Sequence, residues 1–244
     1  MLRTILFFVV LLTVLIALLP LMIFLYIVRP FAPKFAGRIA FFVVSNACRL
    51  GRFVVGVKVE AKGLENLPAG ETAVFVMNHR SIFDIIISYG YMPAPTAFVA
   101  KQELGRLPLF AWWLRLANCL FLNRTDIRKG KKTIEDGINN INNGISMCIF
   151  PEGTRNKEKD NKTSLMEFRG GAFKLATKTG VPVVPIVFFN SSDCFEDHMP
   201  KMKNANVKMI VLEPVRLENM DPKELRFLSR TIQEKMQTAL DSCD

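Results

Sequence analysis

Six short apolar runs, rich in β-branched and aromatic residues, recur along the chain at 72–77 (TAVFVM), 95–100 (PTAFVA), 118–123 (NCLFLN), 145–150 (ISMCIF), 181–188 (VPVVPIVF) and 206–213 (NVKMIVLE). Runs this short suit strands, and elsewhere the apolar period changes to that of a helix. Over 127–142, Ile127, Ile134, Ile138 and Ile141 share one face, and over 222–241 Leu225, Leu228, Ile232, Met236 and Leu240 do the same. Apolar strands alternating with amphipathic helices predict an α/β fold, with a mixed, mostly parallel sheet flanked by helices on both faces. At 244 residues the chain suits one such domain plus a small appendage, because single cores stop growing near about 250–300 residues. The long polar break at 156–164 (NKEKDNKTS) predicts a mobile loop.

The appendage lies at the N-terminus. Residues 4–28 carry no charge, and as a helix they would extend roughly 37 Å, more than a hydrocarbon core of about 30 Å. A cleaved signal would have an apolar region of only about 7–15 residues and a small-residue cleavage site. An N-terminal membrane-embedded helical segment is therefore expected. Pro20 interrupts it, which leaves a full span and a bent, half-inserted hairpin both open. Arg29, Lys34, Arg38, Arg49, Arg52 and Lys58 follow the stretch, while only Arg3 and the amino terminus precede it. That bias places the remaining chain on the cytoplasmic face of the cytoplasmic membrane. Residues 35–57 mix apolar side chains with arginines and suggest an interfacial helix, with a plain core helix as the alternative. Residues 1–58 are thus expected to form anchor and interfacial helix, and 59–244 the domain that carries the chemistry.

Lys and Arg outnumber Asp and Glu by 32 to 22, an excess that favours anionic membranes, phosphorylated substrates or nucleic acid. No zinc-finger spacing or RNP-like aromatic motif accompanies it, so no nucleic acid partner is expected. The basic run Arg128, Lys129, Lys131 and Lys132 reads as a solvated helix face able to attract lipid head groups or an acidic acyl carrier protein. Five cysteines, Cys48, Cys119, Cys148, Cys194 and Cys243, show no CxxC spacing. They indicate neither a disulfide framework nor a thiolate metal site, and a reducing compartment is expected.

Two constellations can carry chemistry. The first is Asn78-His79-Arg80-Ser81-Ile82-Phe83-Asp84, where a strand gives way to a helix. Five residues on one helix would set His79 and Asp84 about 140° apart. The pair meets only if His79 lies on the turn and Asp84 in the first helical turn, where a carboxylate can orient the imidazole and stabilise its cation. The other reading is that Ser81 and Asp84 form an S-x-x-D helix cap without catalysis, and spacing alone does not separate the two. The second constellation is Phe150-Pro151-Glu152-Gly153-Thr154-Arg155, at the end of an apolar strand. Glycine permits a tight turn there, and Arg155 offers a bidentate fork to phosphate or is a plain surface arginine. Arg124 likewise ends a strand, where α/β folds place ligands.

Together these blocks resemble the glycerolipid acyltransferase family, in particular its 1-acylglycerol-3-phosphate acyltransferases, over most of residues 60–215. The family's NHxSxxD (HX4D) block is similar to residues 78–84. Its second block resembles Lys101-Gln102-Glu103-Leu104 through Leu120-Phe121-Leu122-Asn123-Arg124, its third the stretch 150–155, and its fourth Val181-Pro182-Val183-Val184-Pro185-Ile186. Four blocks in order outweigh the bland reading of each. The resemblance implies transfer of a fatty acyl chain from an acyl thioester, acyl-CoA or acyl-acyl carrier protein, to the sn-2 hydroxyl of 1-acyl-glycerol 3-phosphate (lysophosphatidic acid), giving phosphatidic acid for phospholipid synthesis. His79 is then the general base and Asp84 its orienting partner. Lys101, Arg124, Glu152, Gly153, Thr154 and Arg155 bind the acceptor, with Glu152 acting on hydroxyls or ordering the arginines. No metal and no organic cofactor are implied beyond the co-substrate, and membrane lipids are the remaining partners.

Ala111 and Asn118 stand where the family often has glycine, Asn123 where aspartate is common, and Arg169 where lysine is usual. These departures bear on which acceptor fits, and the alternative is an acyltransferase that acts on another lysophospholipid or on glycerol 3-phosphate. Two other classes compete: a hydrolase using Ser81 or Cys148 as nucleophile, disfavoured by the lack of a GxSxG elbow, and a non-catalytic lipid-binding adaptor.

Overall fold

A computed structural model describes residues 1–123, 126–218 and 220–243. Three helices open the chain, α1 (Leu2–Ala17), α2 (Leu19–Val28) and α3 (Pro33–Val55). Strands and helices then alternate: β1 (Lys58–Lys62), β2 (Val74–Met77), α4 (Ile82–Tyr91), β3 (Thr96–Lys101), α5 (Phe110–Leu116), β4 (Leu120–Leu122), α6 (Ile127–Asn142), β5 (Ser146–Ile149), α7 (Lys174–Thr179), β6 (Val183–Phe189), β7 (Asn206–Val211) and α8 (Pro222–Asp241). The strands form one sheet in the order β1-β7-β6-β2-β5-β3-β4. All neighbours run parallel except β6 and β7, which are antiparallel, so the sheet is mixed and mostly parallel as expected.

Successive side chains of a strand point to opposite faces, and the core divides accordingly. Phe75, Met77, Cys148, Val184, Ile186 and Phe188 pack with residues of α2 to α5 on one side. Val74, Val76, Met147, Ile149, Val183 and Val187 pack with α6, α7 and α8 on the other. Helices α6 and α8 fall on the predicted ranges. Asp126 caps the first through the Lys129 amide and Asp221 the second through Lys223 and Glu224. Strand β1 was not foreseen: its sequence KVEAK alternates charged and small residues because it lies at the sheet's edge, half exposed along its length.

The N-terminal helices differ from a simple span. Helix α1 buries no residue, whereas α2 buries Met22 and Leu25 against the sheet-covering helices. No single helix is long and apolar enough to cross a membrane; α1 and α2 together are, but they are bent by 48°. The bend falls where Pro20, in the first turn of α2, lacks the N–H that would continue α1. Helix α3 packs one side against the core, as the core-helix alternative expected. Ala36, Gly37, Ala40 and Phe41 are buried on one side, while Phe35, Phe42 and Phe53 are exposed.

Candidate active site

Strand β2 lies between β6 and β5, and the five parallel strands end on one edge of the sheet, where open α/β folds receive ligands. Just past β2, the buried Asn78 side chain donates from Nδ2 to the Phe188 carbonyl (2.9 Å) and accepts at Oδ1 from the Phe188 amide (2.7 Å). The carboxamide thereby copies a peptide group and supplies one more rung to the β2–β6 ladder. The main chain is free to turn out of the sheet, and His79 is the next residue.

Asp84, fully buried in the first turn of α4, answers it. Its Oδ2 lies 2.9 Å from His79 Nδ1 and also accepts from the amides of Arg80 and Ser81, each at 2.8 Å. A carboxylate has no proton to give, so the ring donates from Nδ1 and keeps the lone pair of Nε2 for a substrate proton. Ser81 Oγ meanwhile accepts from the Phe83 amide at 3.0 Å, completing a capping box with Asp84. The two readings left open by the spacing therefore coexist: the cap builds the turn that brings the imidazole to the carboxylate. Asp84 Oδ1 is buried and has no hydrogen-bond partner among the described residues. Its charge stays incompletely compensated until the ring becomes a cation.

The end of β5 supports the turn from beside it. The Phe150 ring stacks on His79 with centroids 4.2 Å apart. Glu152 is 2% exposed, and its oxygens accept from the His79 amide (2.8 Å) and the Met166 amide (3.2 Å). It thus holds the histidine's own backbone and is not paired with Arg155. Burial, reinforced by Asp84, outweighs those two amides and nearby Arg80 and pushes the Glu152 carboxyl up to about 7. Gly153 has φ +74°, and a Cβ there would sit 3.0 Å from Arg169 Nε, so both the turn and the close approach require glycine. Thr154 and Arg155 beyond it are exposed.

Arg155 is not bare. Its guanidinium donates to Glu196 Oε1 at 2.7 Å, and Glu196 also accepts from the Ile82 amide (3.0 Å) and the Ser81 hydroxyl. Glu196 therefore joins the third block to the start of α4. Lys101, at the end of β3, pairs with Glu103 at 3.2 Å on the surface. Arg124 lies outside the described residues. Arg80 is 3% exposed, and its guanidinium donates to the carbonyls of Ser164 (3.0 Å), Asn161 (3.1 Å) and Glu158. Burial holds its pKa below the usual guanidinium value. The Asn156 amide donates to the His79 carbonyl at 2.7 Å. The polar stretch 156–164, expected to be a mobile loop, is instead laced to the histidine turn. Its polarity is that of a segment whose carbonyls serve a buried arginine.

Sequence reasoning missed three contributors. Phe150 stood inside a quoted block and carried the signal of an aromatic next to a motif; Arg80 occupied the variable position of NHxSxxD. Glu196 gave no signal, since SSDCFEDHMP reads as surface. The rival nucleophiles are badly placed: Ser81 is fully buried and committed to the cap, and Cys148 is buried in the central sheet with its thiol pushed well above its usual value by burial. Among the described residues, no group of three or more His, Cys, Asp or Glu side chains is placed to hold a metal ion.

A family model described as Acyltransferase matches residues 58–189. A 1-acyl-sn-glycerol-3-phosphate acyltransferase of Saccharomyces cerevisiae is 26% identical over 186 residues, covering 76% of this chain and 60% of the relative. One from Borreliella burgdorferi is 30% identical over 155 residues, 63% of this chain and 60% of the relative. The human alpha enzyme of that name is 28% identical over 191 residues, covering 77% and 65%. The matched part thus spans about 60% of these relatives' length. The crystal structure of the 1-acyl-sn-glycerophosphate (LPA) acyltransferase PlsC from Thermotoga maritima superposes with a TM-score of 0.72 at 23% identity, over 93% of this chain and 96% of that one, which establishes the shared fold.

Proposed function

Because the chain belongs to the acyltransferase family, we propose that it acylates the sn-2 hydroxyl of 1-acyl-glycerol 3-phosphate from an acyl thioester, forming phosphatidic acid. The observation that carries this is the 2.9 Å contact of His79 Nδ1 with the buried Asp84 carboxylate at the C-terminal edge of the sheet. It makes Nε2 the proton acceptor. The relatives, named as 1-acyl-sn-glycerol-3-phosphate acyltransferases, support this acceptor class.

In the reaction, Nε2 removes the proton of the acceptor hydroxyl as its oxygen attacks the thioester carbonyl. Asp84 meets the new imidazolium charge, and the proton passes to the departing thiolate as the carbonyl re-forms. Arg155 and Arg124 take the acceptor phosphate, with Lys101 adding positive charge at the neighbouring strand end. For Arg155, phosphate replaces the Glu196 carboxylate as partner. Glu152 and Gly153 act indirectly, by fixing the His79 backbone and the turn that leads to Thr154 and Arg155. No further cofactor is required.

Residues 1–58 serve membrane attachment and 59–244 the chemistry. Leu2, Ile5, Phe8, Val9, Leu12, Ile16, Ile23, Phe24 and Ile27 are exposed along α1 and α2, with Phe42 and Phe53 on α3. An apolar surface this extensive favours a lipid environment, and the cation bias after residue 28 supports a catalytic domain on the cytoplasmic side. The test offers membranes containing parent or His79→Ala protein lysophosphatidic acid, glycerol 3-phosphate and lysophosphatidylcholine with each donor, resolving products by mass. The reading predicts phosphatidic acid from the parent and a loss of about 10²–10⁴ in turnover for the variant. Near-parental turnover of the variant refutes the role of His79.

A further inference from the structure

Arg80 follows His79 directly in the chain, yet its side chain is held inside the protein. It is 3% exposed and makes no ion pair among the described residues. Its guanidinium donates instead to three main-chain carbonyls, those of Glu158, Asn161 (3.1 Å) and Ser164 (3.0 Å). Its Nε is buried without a hydrogen-bond partner among the described residues. A cation taken out of water with only carbonyl dipoles around it is costly, and an apolar side chain of similar volume would fill the space with a smaller penalty. What the guanidinium adds is geometry, because a rigid planar fork fixes several acceptors relative to one another as a flexible ammonium does not. With its donors committed in this way, Arg80 is no ligand for a substrate phosphate.

The segment it grips begins at Arg155. The Gly153 amide donates to the Phe150 carbonyl (3.0 Å) and the Asn156 amide to the His79 carbonyl (2.7 Å), so the main chain is fastened on both sides of Arg155. The Asn156 side chain donates from Nδ2 to the Ser164 carbonyl at 2.9 Å, the same carbonyl that Arg80 takes. The contacts close a ring that runs from His79 through Arg80, Ser164 and Asn156 back to the His79 carbonyl. From α8, Gln237 holds the end of the segment, donating to the Thr163 carbonyl (3.0 Å) and accepting from the Leu165 amide (3.3 Å).

We infer that Arg80 is a positioning residue that fixes the spacing between His79 and Arg155 and thereby selects the sn-2 hydroxyl over the sn-1 hydroxyl. The inference rests on the acyltransferase reading and deepens it. In a glycerol 3-phosphate the sn-1 oxygen lies one bond farther from phosphorus than the sn-2 oxygen, about 1.2 Å in an extended chain. A misplacement of about 1 Å at the reacting atoms can cost about 10²-fold in rate. A phosphate held by Arg155 and a proton acceptor at His79 therefore distinguish the two hydroxyls only while their separation is kept, and the ring through Arg80 keeps it.

The test uses the full chain in detergent micelles and two variants. Arg80→Lys retains the charge but not the fork, and Asn156→Ala opens the same ring at a half-buried residue outside both core clusters. The acceptors are ether lipids, whose chains do not migrate: 1-O-alkyl-glycerol 3-phosphate, free at sn-2, and 2-O-alkyl-glycerol 3-phosphate, free at sn-1. Each is assayed with acyl-CoA and with acyl-acyl carrier protein. The parent is expected to favour the first acceptor by about 10² in kcat/KM, and each variant to lower that ratio by about tenfold or more. A loss of folded protein slows both acceptors alike and leaves the ratio unmoved, so the ratio reports positioning alone. A parent without the preference, or a ratio unchanged in Arg80→Lys, overturns the inference; if Arg80→Lys does not fold, the ratio of Asn156→Ala decides in its place. A parent that acylates neither ether lipid with either donor refutes the acyltransferase reading itself, whereas variants that keep the parental preference refute only the role of Arg80.

Discussion

Replacing Asp84 with asparagine isolates the charge from the turn it helps to build. Asparagine has the same shape, and its carbonyl oxygen can occupy the Oδ2 position and accept from the Arg80 and Ser81 amides, both now at 2.8 Å. Its NH2 group then falls where Oδ1 is buried without a partner, an uncompensated donor costing about 1–3 kcal/mol of stability. The catalytic loss is separate. A carboxylate and an imidazolium about 4 Å apart attract by about 4 kcal/mol at an effective dielectric constant near 20. Losing most of that in the transition state lowers kcat by about 10²–10³. The acceptor KM should stay near parental, because no phosphate ligand is touched. Phosphatidic acid formation is measured by mass in membranes, with circular dichroism at the assay temperature confirming equal folded fractions. A kcat within about fivefold of the parent, in a folded variant, would refute the claim that Asp84 stabilises the protonated histidine.

Four further outcomes follow from the same geometry. Glu152 is pushed from 4.5 up to about 7 by burial, so between those values the folded state holds a proton that the unfolded chain does not, and stability falls as pH rises through that window. Glu152→Gln should remove this share of the slope of Tm against pH, and identical slopes would contradict it. Arg155→Lys should raise the acceptor KM by about tenfold, since the charge remains but the fork is lost; an unchanged KM contradicts the phosphate role. Glu196→Gln releases Arg155 from its 2.7 Å partner and should lower the acceptor KM unless the carboxylate is needed to aim the fork, in which case KM rises; indifference would show that the pair does not bear on the site. Phe42→Gln with Phe53→Gln, both on the exposed side of α3, should weaken flotation with liposomes while leaving the soluble-side core intact, and undiminished flotation would place attachment elsewhere.

What the sequence made legible was whatever repeats or caps. Helices α6 and α8 were readable to the residue because a 3.6-residue apolar period coincides with an aspartate at each start. Six strands, the edge strand β4 among them, announced themselves as apolar runs, whereas β1, with charged residues at alternate positions, had no such run to show. The histidine and aspartate were marked by the resemblance of their block, not by spacing, because their meeting depends on a turn that no spacing states. The role of Glu196 lies across 115 residues from Ser81, and only folding reveals it. Asn118 illustrates a departure that structure explains: it holds φ +61°, a conformation open to glycine and tolerated by asparagine, so asparagine fits where the family resemblance led us to expect glycine.

The paired hydrogen bonds between Asn78 and Phe188 have a mechanical consequence. They fasten the residue next to His79 to two fully buried central strands, so thermal motion of the outer helices has little lever arm on the imidazole. With the residue before it clamped by a carboxamide to a central strand, the His79 ring keeps its aim when the outer helices flex.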